Sequence, residues 1–150
     1  MREPTGEIHR LLRDNAVLGV LPDHERDGLA SQARIERCKS PTLLNAAHAP
    51  LESLRLVIQG HIEVIARTSA GGEVALGALG PGTWATWVGC FVAQPPNHDF
   101  YSSSDARFLA LTTQSVRAAA QRNPVLYPLV IAELGVRMRQ LMEWAGDAVL

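Results

Sequence analysis

The sequence predicts a mainly β domain with flanking helices, built on a double-stranded β-helix (jelly roll) of about eight strands. Three observations lead to this fold class. Apolar and polar residues alternate with period two in the middle of the chain, glycine- and proline-rich turns separate the alternating segments, and helical periodicity marks both ends. A length of 150 residues suits one domain over 1–150. A hydrophobic fraction of 47% excludes a disordered tail.

The N-terminal segment, about residues 8–32, predicts two short helices. Ile8, Leu11 and Leu12 recur at the spacing of one helical face. Pro22 suits the start of the second helix, with acidic residues following it in the first turn, where the helix dipole favours negative charge. We expect both helices to pack against a larger body.

Residues 33–112 predict the jelly roll. Segments 54–59 and 62–67 alternate on either side of Gly60, and a turn at 68–72 precedes a third alternating segment at 74–78. Further strands are expected near 34–38, 42–44, 100–104 and 108–111. The uncharged stretch 74–97 contains too many glycines and prolines for a membrane-spanning helix, and we expect no helix there.

The C-terminal part predicts a short helix at 113–123 and a long helix at 124–146. Thr113 is the expected cap of the short helix, and Pro124 suits the first turn of the long one. Pro128 is expected to kink the long helix or to shift its start. The apolar stripe predicted along this helix consists of Val130, Leu134, Leu141 and Ala145.

Charge and cysteine usage narrow the function classes. Fourteen basic and 15 acidic residues give a net charge of −1, which lacks the basic excess of a nucleic-acid binder. Cys38 and Cys90 lie outside any metal or redox motif, and Cys90 is expected to be a buried, inert thiol. No secretory signal is present, so we expect a cytoplasmic protein that is not attached to a membrane. The sequence offers no nucleophile–base pair and no metal cluster, so we expect no enzyme.

Three segments in order carry a resemblance to a known family. They read LRLVIQGHIEVIAR at 54–67, GGEVALGALGPGTW at 71–84, and RFLALTTQSVRAAAQRNPVL at 107–126. Together they resemble the cyclic-nucleotide-binding domain of bacterial regulators of the catabolite activator (Crp/Fnr) type. The resemblance spans roughly residues 8–145 and implies a sensor domain with a ligand inside the jelly roll.

The resemblance also implies a phosphate-binding cassette, in which a Glu holds the ribose and an Arg pairs with the phosphate. Here the cassette reads GTWATWVGCF from position 82, and the family's Gly-Glu pair falls on Thr86 and Trp87. The Arg position falls on Pro96 or Asn97, and the next basic residue, Arg107, is placed in the following strand. A phosphate buried without a paired cation is very unfavourable. We therefore do not expect cyclic AMP to bind in the family's manner.

The candidate pocket is this degenerate cassette together with the helix positions that face the base in the family. Trp84 and Trp87 are open to two interpretations, an aromatic wall for a flat ligand or side chains that fill an emptied pocket, and we favour the second. Five histidines show no fixed pair, so haem has no support, and no metal site is expected. The candidate residues are Gly82, Trp84, Thr86, Trp87, Val88, Pro96, Asn97, His98, Leu141 and Met142.

The resemblance further implies a homodimer through the long C-terminal helix. In the family, DNA is bound by a helix-turn-helix after that helix. We expect none within 1–150 and expect DNA binding only if one follows Leu150. Two alternatives to an effector sensor remain open. The chain is then a ligand-free structural or dimerisation module, or a sensor of another ligand such as a cyclic dinucleotide or haem.

Overall fold

The computed structural model describes residues 5–149, except for the side chains of Thr5, Val88, Leu141, Trp144, Ala145 and 147–149. The helices found there are α1 (Thr5–Asp14), α2 (Asp23–Gln32), α3 (Trp87–Phe91), α4 (Thr113–Arg122) and α5 (Leu126–Val149), with a 3₁₀ turn at Leu18–Val20. The strands are β1 (Arg34–Cys38), β2 (Leu43–Asn45), β3 (Ser53–Gln59), β4 (Ile62–Arg67), β5 (Glu73–Leu79), β6 (Trp84–Ala85), β7 (His98–Ser102) and β8 (Ala106–Thr112).

The eight strands form two antiparallel sheets of four, in the orders β1-β8-β3-β6 and β2-β7-β4-β5. Of the neighbouring pairs, β4 and β5 alone are consecutive in the chain, so the other pairs require the chain to pass from sheet to sheet. That wrapping is typical of a jelly roll and confirms the predicted fold class.

Strand β8 separates two hydrophobic cores. Phe108 packs between the sheets with Val57 and Ile62. Leu109 and Leu111 point to the other face, where the helices cover the first sheet. Both faces of β8 are therefore buried, which explains its nearly continuous apolar sequence.

Ion pairs fasten the N-terminal helices to this body. Glu25 of α2 accepts two hydrogen bonds from Arg122 of α4, each 2.9 Å long. Glu7 of α1 accepts a 2.6 Å bond from Arg107 of β8. The hydrogen bond from Arg122 holds the pKa of Glu25 below its usual range, against the opposing effect of burial. Each N-terminal helix thus has one carboxylate that pairs with an arginine, on β8 for α1 and on α4 for α2.

Two helix starts differ from the sequence prediction. Thr112, not Thr113, caps α4, and its hydroxyl accepts a 3.1 Å bond from the backbone N–H of Ser115. Thr113 lies inside the helix and donates its hydroxyl to the carbonyl of Leu51. Helix α5 begins at residue 126, so Pro128 falls in the first turn, where a missing N–H leaves no intrahelical bond unmade.

The uncharged stretch 74–97 contains two elements that the sequence analysis did not predict. Strand β6 pairs with β3, and the single-turn helix α3 follows it directly. The expectation of no helix there is wrong for α3, because residues 87–91 lie between the breakers. In the described part of the chain, no helix is both long and apolar enough to span a membrane.

Candidate functional site

The cassette begins at a tight turn after β5. Gly82 has a φ of +87° and donates its N–H to the carbonyl of Val57 at 2.9 Å. Thr86, at the position where the family has glycine, has a φ of +78°. Its hydroxyl donates to the carbonyl of Ser53 at 2.8 Å. A β-branched residue is strained in this left-handed conformation, so the hydrogen bond and the surrounding packing hold the loop in shape.

Helix α3 is packed tightly against its surroundings. A Cβ built at Gly89 would lie 2.4 Å from the Cβ of Leu51, so only glycine fits there. Arg117 of α4 donates a 2.7 Å bond to the carbonyl of Cys90. Burial raises the pKa of the Cys90 thiol to about 12, against the weaker opposing charge of Arg117. This thiol stays protonated, in agreement with the expected inert cysteine.

The cassette tryptophans lie inside the helix-facing core. Trp84 and Trp87 are 2% and 3% exposed, and their ring centroids are 5.5 Å apart. They pack in the same cluster as Leu56 and Val130. Among the described residues, the indole Nε1 of Trp84 is buried without a hydrogen-bond partner, and that of Trp87 lies near the carboxylate of Glu133. The two rings therefore act as packed core side chains, as the second of the two interpretations predicts.

The phosphate-binding positions of the family offer no cation. The carbonyl of Pro96 accepts a 2.8 Å bond from the N–H of His48, and Asn97 is exposed. Arg107, the next basic residue in sequence, pairs with Glu7 as described above. At these two positions, the described residues therefore place no cation that could pair with a phosphate.

Next to the cassette, Asp99 is almost fully buried and organises a loop. It accepts a 2.6 Å bond from the N–H of Ala47 and a 3.1 Å bond from Nε of Arg67. The Ala47 hydrogen bond, and then Arg67, hold the pKa of Asp99 below its usual range against burial. Its partners anchor the loop after β2 to β4, which is a structural role. Its sequence neighbour His98 faces a different space.

That space is a groove of about 550 Å³ between the second sheet and α5. One wall is formed by Val64 and by 76–79 of β5. The other is formed by Arg137, Met138 and Gln140 of α5, with His98 at the side. A Cβ added at Gly77 would meet nothing within 4 Å, so the space above β5 is open.

Arg137 brings a positive charge to this groove. It is half-buried, and its Nη2 lies 3.4 Å from the carbonyl of Trp84. One helical turn earlier, burial raises the pKa of Glu133, against the smaller opposing effects of a hydrogen bond with the Trp87 indole and of the positive charge of Arg137. The α5 side of the cassette thus brings the Arg137 guanidinium, the Glu133 carboxylate and the Trp87 indole close together.

The structure separates the predicted site residues. The turn and cassette residues belong to the packed loop, and only His98 lines the groove. Met142 was predicted to line the pocket. It lies instead on the outer face of α5 beside Gly135 and Glu143, where it is 66% exposed and outside the groove lining. The side chains of Val88, Leu141 and Ala145 lie outside the described residues.

The predicted dimer stripe is corrected in part. Val130 is 3% exposed and belongs to the helix-facing core, and Leu134 packs against the same core. Both therefore face the interior of this chain. The strongly exposed apolar side chains of α5 are Ile131, Val136, Met138 and Met142.

Sequence reasoning missed the groove residues. Arg137 is not among the candidate residues that the sequence predicts. However, it follows Leu134 by three positions, which places both residues on one helical face. A charge within an apolar stripe was the available signal. Among the described residues, no cluster of three potential metal-ligating side chains was found.

No protein-family model and no curated protein matches the sequence. Solved structures do match it in fold. The sensor domain of the transcriptional regulator DNR from Pseudomonas aeruginosa is 14% identical, with a TM-score of 0.79 over 95% of each chain. A cyclic nucleotide-binding domain from Methylobacillus flagellatus is 18% identical, with a TM-score of 0.75 over 97% of this chain and 84% of that one.

The Thermus thermophilus catabolite activator protein is also similar. It is 20% identical, with a TM-score of 0.70 over 89% of this chain. The present chain covers 62% of the length of that protein. These likenesses show that the chain has the fold of the cyclic-nucleotide-binding domain, which confirms the resemblance seen in the sequence at the level of the fold.

Proposed function

We propose that this chain is the effector-sensing domain of a Crp/Fnr-type transcription regulator, with its ligand in the groove between β5 and α5. One observation carries the proposal: the walls of the groove belong to both the jelly roll and α5. A ligand bound there changes how α5 packs against the sheet. That change is transmitted along α5 to any segment that follows it. DNA binding requires a helix-turn-helix after Leu150 in a longer chain.

The proposed ligand is not cyclic AMP bound in the family's manner. By the resemblance, Trp87 stands at the position of the ribose acceptor and is part of the core, and Pro96 or Asn97 stands at the position of the phosphate cation. An unpaired phosphate in such a site is strongly disfavoured. Isothermal titration with cyclic AMP should show no tight binding, and a low-micromolar dissociation constant would contradict this.

The groove is tested by blocking it. Gly77→Trp fills the open space above β5, whereas Gly80→Trp places the same side chain at open space outside the groove lining. Thermal shifts should be measured with cyclic nucleotides, cyclic dinucleotides, haem and the neutral apolar dye N-phenyl-1-naphthylamine. We expect stabilisation by at least the dye in wild type and Gly80→Trp, and none in Gly77→Trp. Stabilisation that survives Gly77→Trp places binding elsewhere.

Homodimerisation through α5 is part of the proposal. The exposed apolar face of this helix contains Ile131 and Met138, one heptad apart. In a two-fold dimer, Ile131→Glu would place two like charges across the seam. Light scattering should then report a monomer. The control Val74→Glu changes an exposed valine of β5 and should stay dimeric. A wild-type chain that is monomeric at high concentration contradicts this part.

A second candidate function is a ligand-free dimerisation module of the same fold. The burial of Trp84 and Trp87 favours it, because these side chains occupy the cassette. The same thermal-shift panel separates the candidates. If no compound, including the apolar dye, stabilises the wild-type protein, the module without a ligand is the better account.

A further inference from the structure

Arg137 differs from the other half-buried arginines of the described chain. Arg26, Arg55 and Arg107 each lie within 4 Å of a carboxylate, on Asp23, Glu36 and Glu7. No ion pair within 4 Å is found for Arg137 among the described residues, although its charge acts on the neighbouring carboxylate of Glu133. Its recorded hydrogen bond, to the carbonyl of Trp84, is long at 3.4 Å. A partly buried guanidinium favours an anionic partner, and this one borders an open groove.

The rest of the groove is mostly apolar. Leu76 and Leu79 are half-buried, and Val64 and Ala78 add further aliphatic surface. The volume of about 550 Å³ lies within the range of small-molecule sites. His98 and Gln140 are the other polar side chains in the lining. A ligand that fills this space therefore needs an apolar body and few polar groups.

We infer that the groove binds an organic acid with an apolar body and one anionic group, and that Arg137 binds that group. This inference rests on the proposed function and names the ligand class of the same site. A guanidinium binds a planar or tetrahedral acid group through two parallel N–H bonds. The aliphatic surface of β5 takes the remainder of the molecule. Arg137 thus supplies from α5 the cation that the cassette has lost.

Glu133 lies one helical turn from Arg137, so its carboxylate is close to the proposed position of the ligand's acid group. Its carboxylate competes with a ligand anion for the guanidinium when it is ionised. Glu133→Gln removes this competition and keeps the side chain's size. We therefore expect Glu133→Gln to tighten the binding of an anion and to leave the binding of a neutral compound unchanged.

The experiment compares two fluorescent probes that share an anilinonaphthalene body. 8-Anilinonaphthalene-1-sulfonate has one acid group, and N-phenyl-1-naphthylamine has none. Both are titrated against wild type, Arg137→Gln, Arg137→Lys and the control Arg139→Gln, whose arginine is exposed on the outer face of α5. Urea midpoints confirm that each variant is folded, since partly unfolded protein also binds such dyes.

We expect Arg137→Gln to weaken sulfonate binding by about tenfold or more, since it removes the charged hydrogen-bond donor that pairs with the acid group. Arg137→Lys should retain part of the affinity, and Arg139→Gln should match wild type. The neutral dye should bind all four proteins alike.

Two outcomes overturn the inference: an unchanged sulfonate affinity in Arg137→Gln, or an equal loss in Arg139→Gln. The proposed function fails separately. If Gly77→Trp does not block the neutral dye, the groove is not the site. If Gly77→Trp blocks the dye and the sulfonate ignores Arg137, the groove stands and only the ligand class is wrong.

Discussion

The contact between the N-terminal helices and the first sheet can be compared with the contact between α5 and the cassette. On the first side, Glu7 and Glu25 each pair with an arginine of the body. On the second, burial raises the pKa of Glu133, and Arg137 borders an open groove. Side chains from both sides belong to one hydrophobic core, so the comparison concerns their charged groups.

We interpret the paired charges of the N-terminal side as a contribution to stability, and the groups between α5 and the cassette as a binding site. Buried polar groups in native proteins nearly always have partners, and groups without one call for an explanation. The carboxylates of Glu7 and Glu25 have arginine partners, so they need no functional explanation. Four buried side-chain atoms of the described residues lack a close hydrogen-bond partner: Nε of Arg107 lies beside Glu7, whereas Nε1 of Trp84 and of Trp87 and Oε2 of Glu133 lie where α5 meets the cassette. Of these, the Trp87 indole and the Glu133 carboxylate interact with each other. Departures from local consistency of this kind are expected at functional sites.

The largest expected effect tests whether the cassette is core. Trp87→Ala should destabilise the protein by about 3–5 kcal/mol, because it leaves a cavity among the buried side chains. The measurement is the urea midpoint. Val125→Ala, at a side chain 55% exposed and outside both the groove and α5, is the control and should change stability by about 0.5 kcal/mol or less. A nearly unchanged midpoint in Trp87→Ala would show that this indole lines an open pocket.

A pair of glycines contrasts a filled site with an open one. Gly60 has a φ of +78°, and a Cβ there would lie 2.6 Å from the Ser103 hydroxyl. Gly60→Ala should therefore destabilise by more than about 1 kcal/mol. Gly77→Ala points into the groove and should be neutral or stabilising by up to about 1 kcal/mol. Equal losses in thermal denaturation would mean that the groove is closed.

Two glutamates should respond to pH with opposite signs. The pKa of Glu25 is lowered in the folded protein by its bond with Arg122. Its stabilising contribution is therefore complete above the ordinary value of 4.5 and is lost as pH falls through the lower folded value. Glu25→Gln should be less stable than wild type at neutral pH, and the difference should disappear in strong acid.

Glu133 should show the reverse behaviour. Burial raises its pKa above 4.5, so its contribution favours the folded state below that value and is lost as pH rises through the raised value. Glu133→Gln should be more stable than wild type at neutral pH, with no gain in strong acid. Urea denaturation over a pH series gives the free energy of unfolding of both variants relative to wild type. If both differences had the same sign at neutral pH, the proposed contrast between Glu25 and Glu133 would be wrong.

Much of the fold followed from local patterns. The alternation on both sides of Gly60 predicts β3 and β4, because period-two burial and a turn glycine are properties of the nearby sequence. Strand β6 and helix α3 were missed, since two and five residues give too little periodicity to recognise. The cap at Thr112 was displaced by one residue, which is the usual precision of helix ends.

The candidate site was harder to predict than the fold. The burial of Trp84 and Trp87 was predictable from the size and apolar character of indoles. The groove was not, because it joins 76–79 of β5 to Arg137, which is nearly sixty positions later in the chain. Periodicity shows which face of a helix is apolar, but not which strand that face meets. For the same reason, the sequence did not show that Val130 faces the core of its own chain and not a dimer partner.

The most direct measurement is a crystal structure of the protein with 8-anilinonaphthalene-1-sulfonate. We expect the aromatic rings to lie on β5 between Leu76 and Leu79, with the sulfonate in hydrogen-bonding contact with Arg137. Trp84 and Trp87 should keep their packed positions. A groove filled by its own side chains, with Arg137 paired to Glu133 and the dye bound at another surface, would contradict the account.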